Sequence, residues 1–255
     1  MTQVNEMSER RLIVTWKNDA STGTLPVAEL IIRAVAPRYS FRYVDGVREA
    51  LRCGFQPFLA FPKLDGRYES EALFPFFSNR VLPTTRPEYL ESLAAVGLDV
   101  RHVSVAEVLG RTSGRRATDR IETILVPIPD AQGRYSTHFL LRGVNHAPGA
   151  EEIIATLASD ELLTLVKDTS NHYNPRARRL EARGHRVGYV PDYLVSDIDA
   201  LERAGAEPTV FGERANLPPQ PVHCRLLCRI ECQWPAGFVP FQDPRLEHYV
   251  QREAA

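Results

Sequence analysis

Apolar and polar positions along this chain predict a mainly β protein with short helices. R-L-I-V-T-W at 11–16 predicts a first strand, and Y-S-F-R-Y-V at 39–44, alternating rings with polar residues, a second. F-L-A-F at 58–61 predicts a short strand stopped by Pro62. Residues 71–82 are dense in apolar side chains and predict a helical or irregular segment. A helix is expected from 86 to 97, with Pro87 in its first turn, Glu88 and Glu91 following, and Gly97 at its end. A second is expected over 104–109, ended by Gly110 and followed by a polar, Arg-rich linker to about 120. E-T-I-L-V-P-I-P at 122–129 then predicts a strand, and D-A-Q-G-R-Y at 130–135 a turn.

A second pattern begins near Tyr135. Strands are expected at 137–143 and 162–167, with a short helix at 151–158 between them. A hairpin is expected where A-R-R-L and R-V-G-Y-V-P flank E-A-R-G-H. A helix follows at 195–204, with Ser196 as its N-cap and Gly205 past its end. The last strand has the clearest alternation. Val222, Cys224, Leu226, Cys228, Ile230, Cys232 and Trp234 share one face, against His223, Arg225, Arg229, Glu231 and Gln233. Strand, helix, strand, hairpin, helix, strand predicts a small barrel with two helices. The expected fold is therefore α+β and β-rich, with domains at 1–134 and 135–255. Charge changes at the same place: residues 1–134 carry 18 basic and 16 acidic side chains, and residues 135–255 carry 13 and 16.

Composition narrows the class. With 44% hydrophobic residues, 25% charged residues and a net charge of -1, the 255-residue chain is not a disordered tail or a globally basic nucleic-acid coat. Any nucleic-acid binding must use a local patch. No apolar run approaches the ~18 residues of a membrane helix, and Met1 to Arg11 is polar, so a soluble cytoplasmic protein with no membrane partner is expected. The Arg excess, 28 against 3 Lys, reads first as coding bias and second as phosphate- or carboxylate-directed chemistry.

Candidate chemistry is sparse. Cys224, Cys228 and Cys232 are spaced four apart, which on a strand separates them by about 13 Å per step. One tetrahedral ion cannot gather thiols so far apart, so buried small hydrophobes and no metal are expected. Cys53 stands alone, with no local base to activate it. G-R-T-S-G-R-R at 110–116 lacks the phosphate-wrapping pattern, and no hydrolase, zinc-protease or kinase signature occurs. No cofactor is expected. The pairs Glu151–Glu152 and Asp197–Asp199 read as solvated faces or first-turn helix charges. The densest feature is N-H-Y-N-P-R-A-R-R-L-E-A-R-G-H-R at 171–186. Window 176–186 holds five Arg and one Glu, directly after His172 and Tyr173. Rings beside phosphate-seeking cations suit single-strand binding; an ordinary solvated hairpin is the competing reading.

The stretch L-V-K-D-T-S-N-H-Y-N-P-R-A-R-R-L-E-A-R-G-H-R-V-G-Y-V-P, with F-L-L-R-G-V-N-H upstream, resembles the HIRAN domain over roughly 135–240. That resemblance implies an OB-like barrel that grips a single-stranded DNA 3′ end. It implies a nucleic-acid site at Asn145, His146, Asn171, Tyr173, Asn174 and Tyr189, with Asn174 in the position of the family's Asp. Asn145 and His146 take the places of an Arg and a Tyr, and Arg176, Arg178 and Arg179 are expected to supply the missing cation. The first half is similar, more weakly, to the small N-terminal domain of HipA-like proteins. F-R-Y-V-D-G, F-P-K-L-D-G-R-Y-E-S and L-F-P-F-F-S-N-R-V-L-P carry that likeness, with Glu69, Phe76, Phe77 and Asn79 at its centre. It implies a domain that docks a protein partner. Together these imply a non-enzymatic bacterial protein that binds single-stranded DNA ends. The alternative is an antitoxin-like regulator of a separate kinase or nuclease, with a degenerate DNA site.

Overall fold

The computed structural model describes residues 9–18, 24–101, 103–171 and 174–251. β1 (Arg10–Lys17) pairs antiparallel with β2 (Thr24–Ile32), and β2 with β3 (Tyr39–Tyr43). Seven consecutive residues of β2, from Leu25 to Ile31, are buried. A strand covered on both faces has no period to read, so alternation did not reveal it. Pro26 lies opposite Thr15, where the register shifts, a position that needs no ladder N–H. The buried Glu29 in the same strand takes Arg11 Nε at 2.6 Å, His248 Nε2 at 3.0 Å, and Arg42. Burial pushes its carboxyl up, but the Arg11 charge and the Arg42 hydrogen bond outweigh it and hold the group below the ordinary range.

Helix α1 (Val47–Arg52), strand β4 (Tyr68–Ser70) and helix α2 (Pro75–Ser78) follow β3. The strand expected at 58–61 is a turn instead. The Tyr43 hydroxyl donates to the Phe61 carbonyl and accepts from the Phe58 N–H, both at 2.8 Å, so a side chain holds this backbone. Phe61 stacks on Phe41 with ring centroids 3.8 Å apart, and Phe77 is buried beside them. Phe76 is partly buried, while Glu69 and Asn79 are exposed, Glu69 pairing with Arg67 at 2.7 Å.

Helix α3 (Tyr89–Ala95) is shorter than expected, and α4 (Val105–Arg111) starts where expected, with the Ser104 hydroxyl capping Glu107 N–H at 3.2 Å. β5 (Ile121–Leu125) pairs with β1, giving a five-stranded sheet in the order β4-β3-β2-β1-β5. Contacts gather the chain into two units. One holds the residues up to Arg86, Val103–Val126 and those from Phe241 onward; the other holds Pro87–His102 and Pro127–Pro240. Helix α3 thus belongs to the second unit and α4 to the first.

The second unit contains β6 (Arg134–Leu140), α5 (Ala150–Ala155), β7 (Glu161–Lys167), β8 (Arg178–Ala182), β9 (His185–Tyr189), α6 (Asp192–Arg203), β10 (Thr209–Ala215) and β11 (Leu226–Gln233). Its sheet runs β6-β11-β10-β7-β8-β9. This corrects the expected barrel: the sheet does not close. A barrel needs a continuous ladder between its first and last strands. Among the described residues one isolated bridge, Arg142 to Tyr189, links the two edges, and the chain turns into α6 at Asp192. The expected hairpin is present, with Arg183 and Gly184 at its turn, both at positive φ.

Further expectations change in the second unit. Helix α6 begins at Asp192 after Pro191, so Ser196 lies inside it rather than capping it. Asp197, expected on a solvated face, is 2% exposed among the residues that α6 buries. The last strand starts at Leu226, because Val222–Cys224 forms a 3-10 turn. The buried Arg225 holds that turn, reaching the Asn216 carbonyl at 2.7 Å and the Glu151 carboxylate at 2.9 Å. Of the three thiols Cys228 is buried, while Cys224 in the turn and Cys232 near the end of β11 are partly exposed.

Candidate nucleic-acid interface

The bridge at the sheet edges builds the site. Arg142 N–H donates to the Tyr189 carbonyl at 3.0 Å, and Tyr189 N–H returns a bond to the Arg142 carbonyl at 2.8 Å. Two glycines permit this approach. A Cβ on Gly188 would lie 2.5 Å from the Arg142 carbonyl oxygen, and one on Gly143, at φ 71°, would lie 3.2 Å from the Tyr189 ring. Cross-strand pairing sets the neighbours. Val166 faces Arg179 and Arg179 faces Tyr189, so these residues share one face of the sheet with Arg142.

Asp168, just past the end of β7, anchors the tyrosine. The Tyr189 hydroxyl donates to Asp168 Oδ2 at 2.8 Å, and the Ser170 hydroxyl to Oδ1 at 2.6 Å. Asp168 is 5% exposed, and the Ser170 and Tyr189 hydrogen bonds hold its carboxyl below the ordinary range. Arg186 completes the group. It is exposed, donates to the His146 carbonyl at 2.6 Å and to the Tyr189 hydroxyl at 3.3 Å, and stands 5.9 Å from the tyrosine ring centroid. Asn145 and His146 are exposed in the 3-10 turn Val144–His146.

The other sequence-selected residues form a separate, self-paired group. Asn171 Oδ1 accepts the Asn174 N–H at 3.1 Å, and Asn174 Oδ1 accepts the Arg176 N–H at 2.9 Å. The Asn174 amide donates to Asp192 at the start of α6, so both ends of that side chain are engaged, one within the loop and one on the helix. Tyr173 and His172 lie outside the described residues. Arg176 is exposed but reaches Asp199 at 2.8 Å. The Arg178 side chain is 3% exposed, paired with Glu202 at 2.7 and 3.1 Å and with Asp199. It ties β8 to α6. Burial pushes the Asp199 carboxyl up, but hydrogen bonds from Arg178 and Arg176 outweigh this and hold it low.

The basic window is largely neutralised within the protein. Arg176 and Arg178 face α6 carboxylates, Arg179 pairs with Glu181 at 2.7 Å, and Arg183 with Glu161 at 2.8 Å. Among the described residues, Arg186 alone of the five has no carboxylate partner. Sequence reading therefore counted charge that the fold cancels. It also passed over Asp168 and Arg142, whose only local signals are a carboxylate after an apolar strand and an Arg before a glycine.

No protein-family model matches the chain, and no curated protein does. Two solved structures are distantly similar. The HIRAN domain of human HLTF shares 15% identity over 39% of this chain and 73% of its own, with a TM-score of 0.28. A protein from Lactobacillus plantarum shares 14% identity over 39% of this chain and 97% of its own, with a TM-score of 0.31. Scores of this size establish no residue-by-residue correspondence.

Proposed function

We propose that this protein is a binding module rather than an enzyme, and that its second unit takes the end of a single DNA strand against Tyr189. The observation that supports this is the anchored ring. Tyr189 is held at its backbone by Arg142 and at its hydroxyl by Asp168, with the exposed Arg186 alongside. An ordered ring is a ready platform for a base, worth about 1–3 kcal/mol per stacked base. Arg186 would pair with the adjoining phosphate, and Asn145 and His146 would border the strand. The first unit would dock a protein partner.

A second reading is favoured by the neutralised arginines: a protein-interaction regulator whose nucleic-acid site is degenerate. Anisotropy with oligonucleotides differing only at the 3′ end separates the two. The DNA reading expects tighter binding to a free 3′ hydroxyl than to a 3′ phosphate. It also expects Arg186→Ala to weaken all strands alike and flatten the salt dependence by about one unit. Binding indifferent to both changes would leave the regulator as the better account.

A further inference from the structure

The outer edge of β3 continues through Val44 into the turn at Asp45 and Gly46 that starts α1, and a sequence-distant segment covers it. β4 pairs with the first part of that edge, Tyr39 to Phe41. At Val44 the N–H turns inward to the Val27 carbonyl at 3.1 Å, while the flanking residues turn outward. Tyr249 N–H donates to the Tyr43 carbonyl at 3.1 Å, Asp45 N–H to the Glu247 carbonyl at 2.7 Å, and Gly46 N–H to the Arg245 carbonyl at 2.8 Å. Val44 and His248 form an antiparallel bridge between these bonds. Residues 247–249 therefore continue the edge that β4 begins, and the 3-10 turn Pro244–Leu246 before them adds the bond to Gly46.

Side chains give this docking a readable pattern. Leu246 is buried, and two positions on His248 Nε2 lies 3.0 Å from Glu29 Oε1. Glu29 is 1% exposed, so the segment reaches an interior charge from outside. The Arg48 guanidinium lies 4.3 Å from the centroid of the Tyr249 ring and donates to the Val250 carbonyl. Tyr249 also packs against the core and Arg245 stands 3.8 Å from Glu49, but between these anchors Glu247 and His248 are exposed, and Val250 beyond them is 66% exposed. Few buried contacts and exposed backbone bonds mark a segment that opens below the stability of the sheet it covers. Unpaired strand edges are templates for added strands.

We infer that the edge at residues 43–46 is a strand-docking site, held closed in cis by residues 243–250. Its partner is a protein segment that enters through a tight turn carrying an apolar residue, then runs extended to place a hydrogen-bond donor on Glu29 two positions later and a ring under Arg48. Main-chain bonds supply affinity and these three positions supply selectivity, as in strand addition generally. The inference rests on the docking role given to the first unit. A dead edge overturns the inference alone, whereas a partner that binds only the second unit overturns the docking role.

The test uses the full chain with Leu246→Ser and His248→Ala, and a labelled peptide of residues 243–251 beside a scrambled control. The double variant should bind the peptide at least tenfold more tightly than wild type, because its own segment no longer competes. Amides of Asp45 and Gly46 should exchange at least tenfold faster in the variant, while β1 and β2 amides keep their protection. Equal binding by both proteins, no binding by either, or unchanged exchange at Asp45 and Gly46 overturns the inference. If the double variant does not fold, His248→Ala alone carries both measurements with the same criteria.

Discussion

The Tyr189 hydroxyl and the Asp168 carboxylate meet at 2.8 Å, although 21 residues separate them in the chain. That bond joins the end of β9 to the loop after β7. Removing it with Tyr189→Phe leaves a buried carboxylate short of one donor. A hydrogen bond to a charged acceptor is among the stronger ones. We expect about 1–2 kcal/mol lower stability in urea unfolding, with the fold retained.

The same carboxylate sets a pH dependence. Its folded value lies below the ordinary range because Ser170 and then Tyr189 donate to the ionised form. Its stabilising contribution is therefore complete above the unfolded value near ~3.9, and is lost as pH falls through the lowered folded value. Asp168→Asn should flatten the fall of stability below about pH 4 relative to wild type. An unchanged acid limb in urea titrations would contradict this.

Arg178 and Arg176 share Asp199 but differ in exposure, 3% against 58%. Breaking a fully buried pair costs ~3–5 kcal/mol. The carboxylates here are partly open to water, so Arg178→Ala should cost about 2–3 kcal/mol. Arg176→Ala should cost only ~0–1 kcal/mol, as surface pairs do. Thermal unfolding of the two variants reads the difference directly.

The thiols should separate by reactivity. Cys53 is exposed, whereas burial pushes the Cys228 thiol well up and the Cys232 thiol up to about 11. Alkylation at pH 8 followed by mass spectrometry should label Cys53 first and leave Cys228 unmodified until denaturant is added. Early labelling of Cys228 would mean that β11 opens readily.

The hairpin turn gives a backbone test. Gly184 has φ 79°, and a Cβ there would meet nothing within 4 Å. Gly184→Ala therefore isolates the cost of the left-handed conformation, about 1–2 kcal/mol, without a clash. Chevron or equilibrium unfolding would show it.

Local patterns determined much of this protein. The alternation of β3 and β11, the start of α4 near Ser104 and the Arg183–Gly184 turn were all legible, because each depends on residues a few positions apart. Tertiary structure decided the rest. β2 was hidden because burial on both faces erases its period, and its Glu29 is tolerable only because Arg11, Arg42 and His248 converge from other segments. The sheet stays open because, among the described residues, only Arg142 and Tyr189 bridge its edges, a pairing that no local pattern encodes. The basic window read correctly as charge in the chain, but its effect depends on where the carboxylates lie. Asp199 and Glu202 stand on α6, more than 20 residues from Arg178, and Glu161 comes from β7 to meet Arg183. Electrostatic sums over a sequence window omit partners that only folding brings within hydrogen-bond reach, and those partners leave Arg186 as the cation beside the ring.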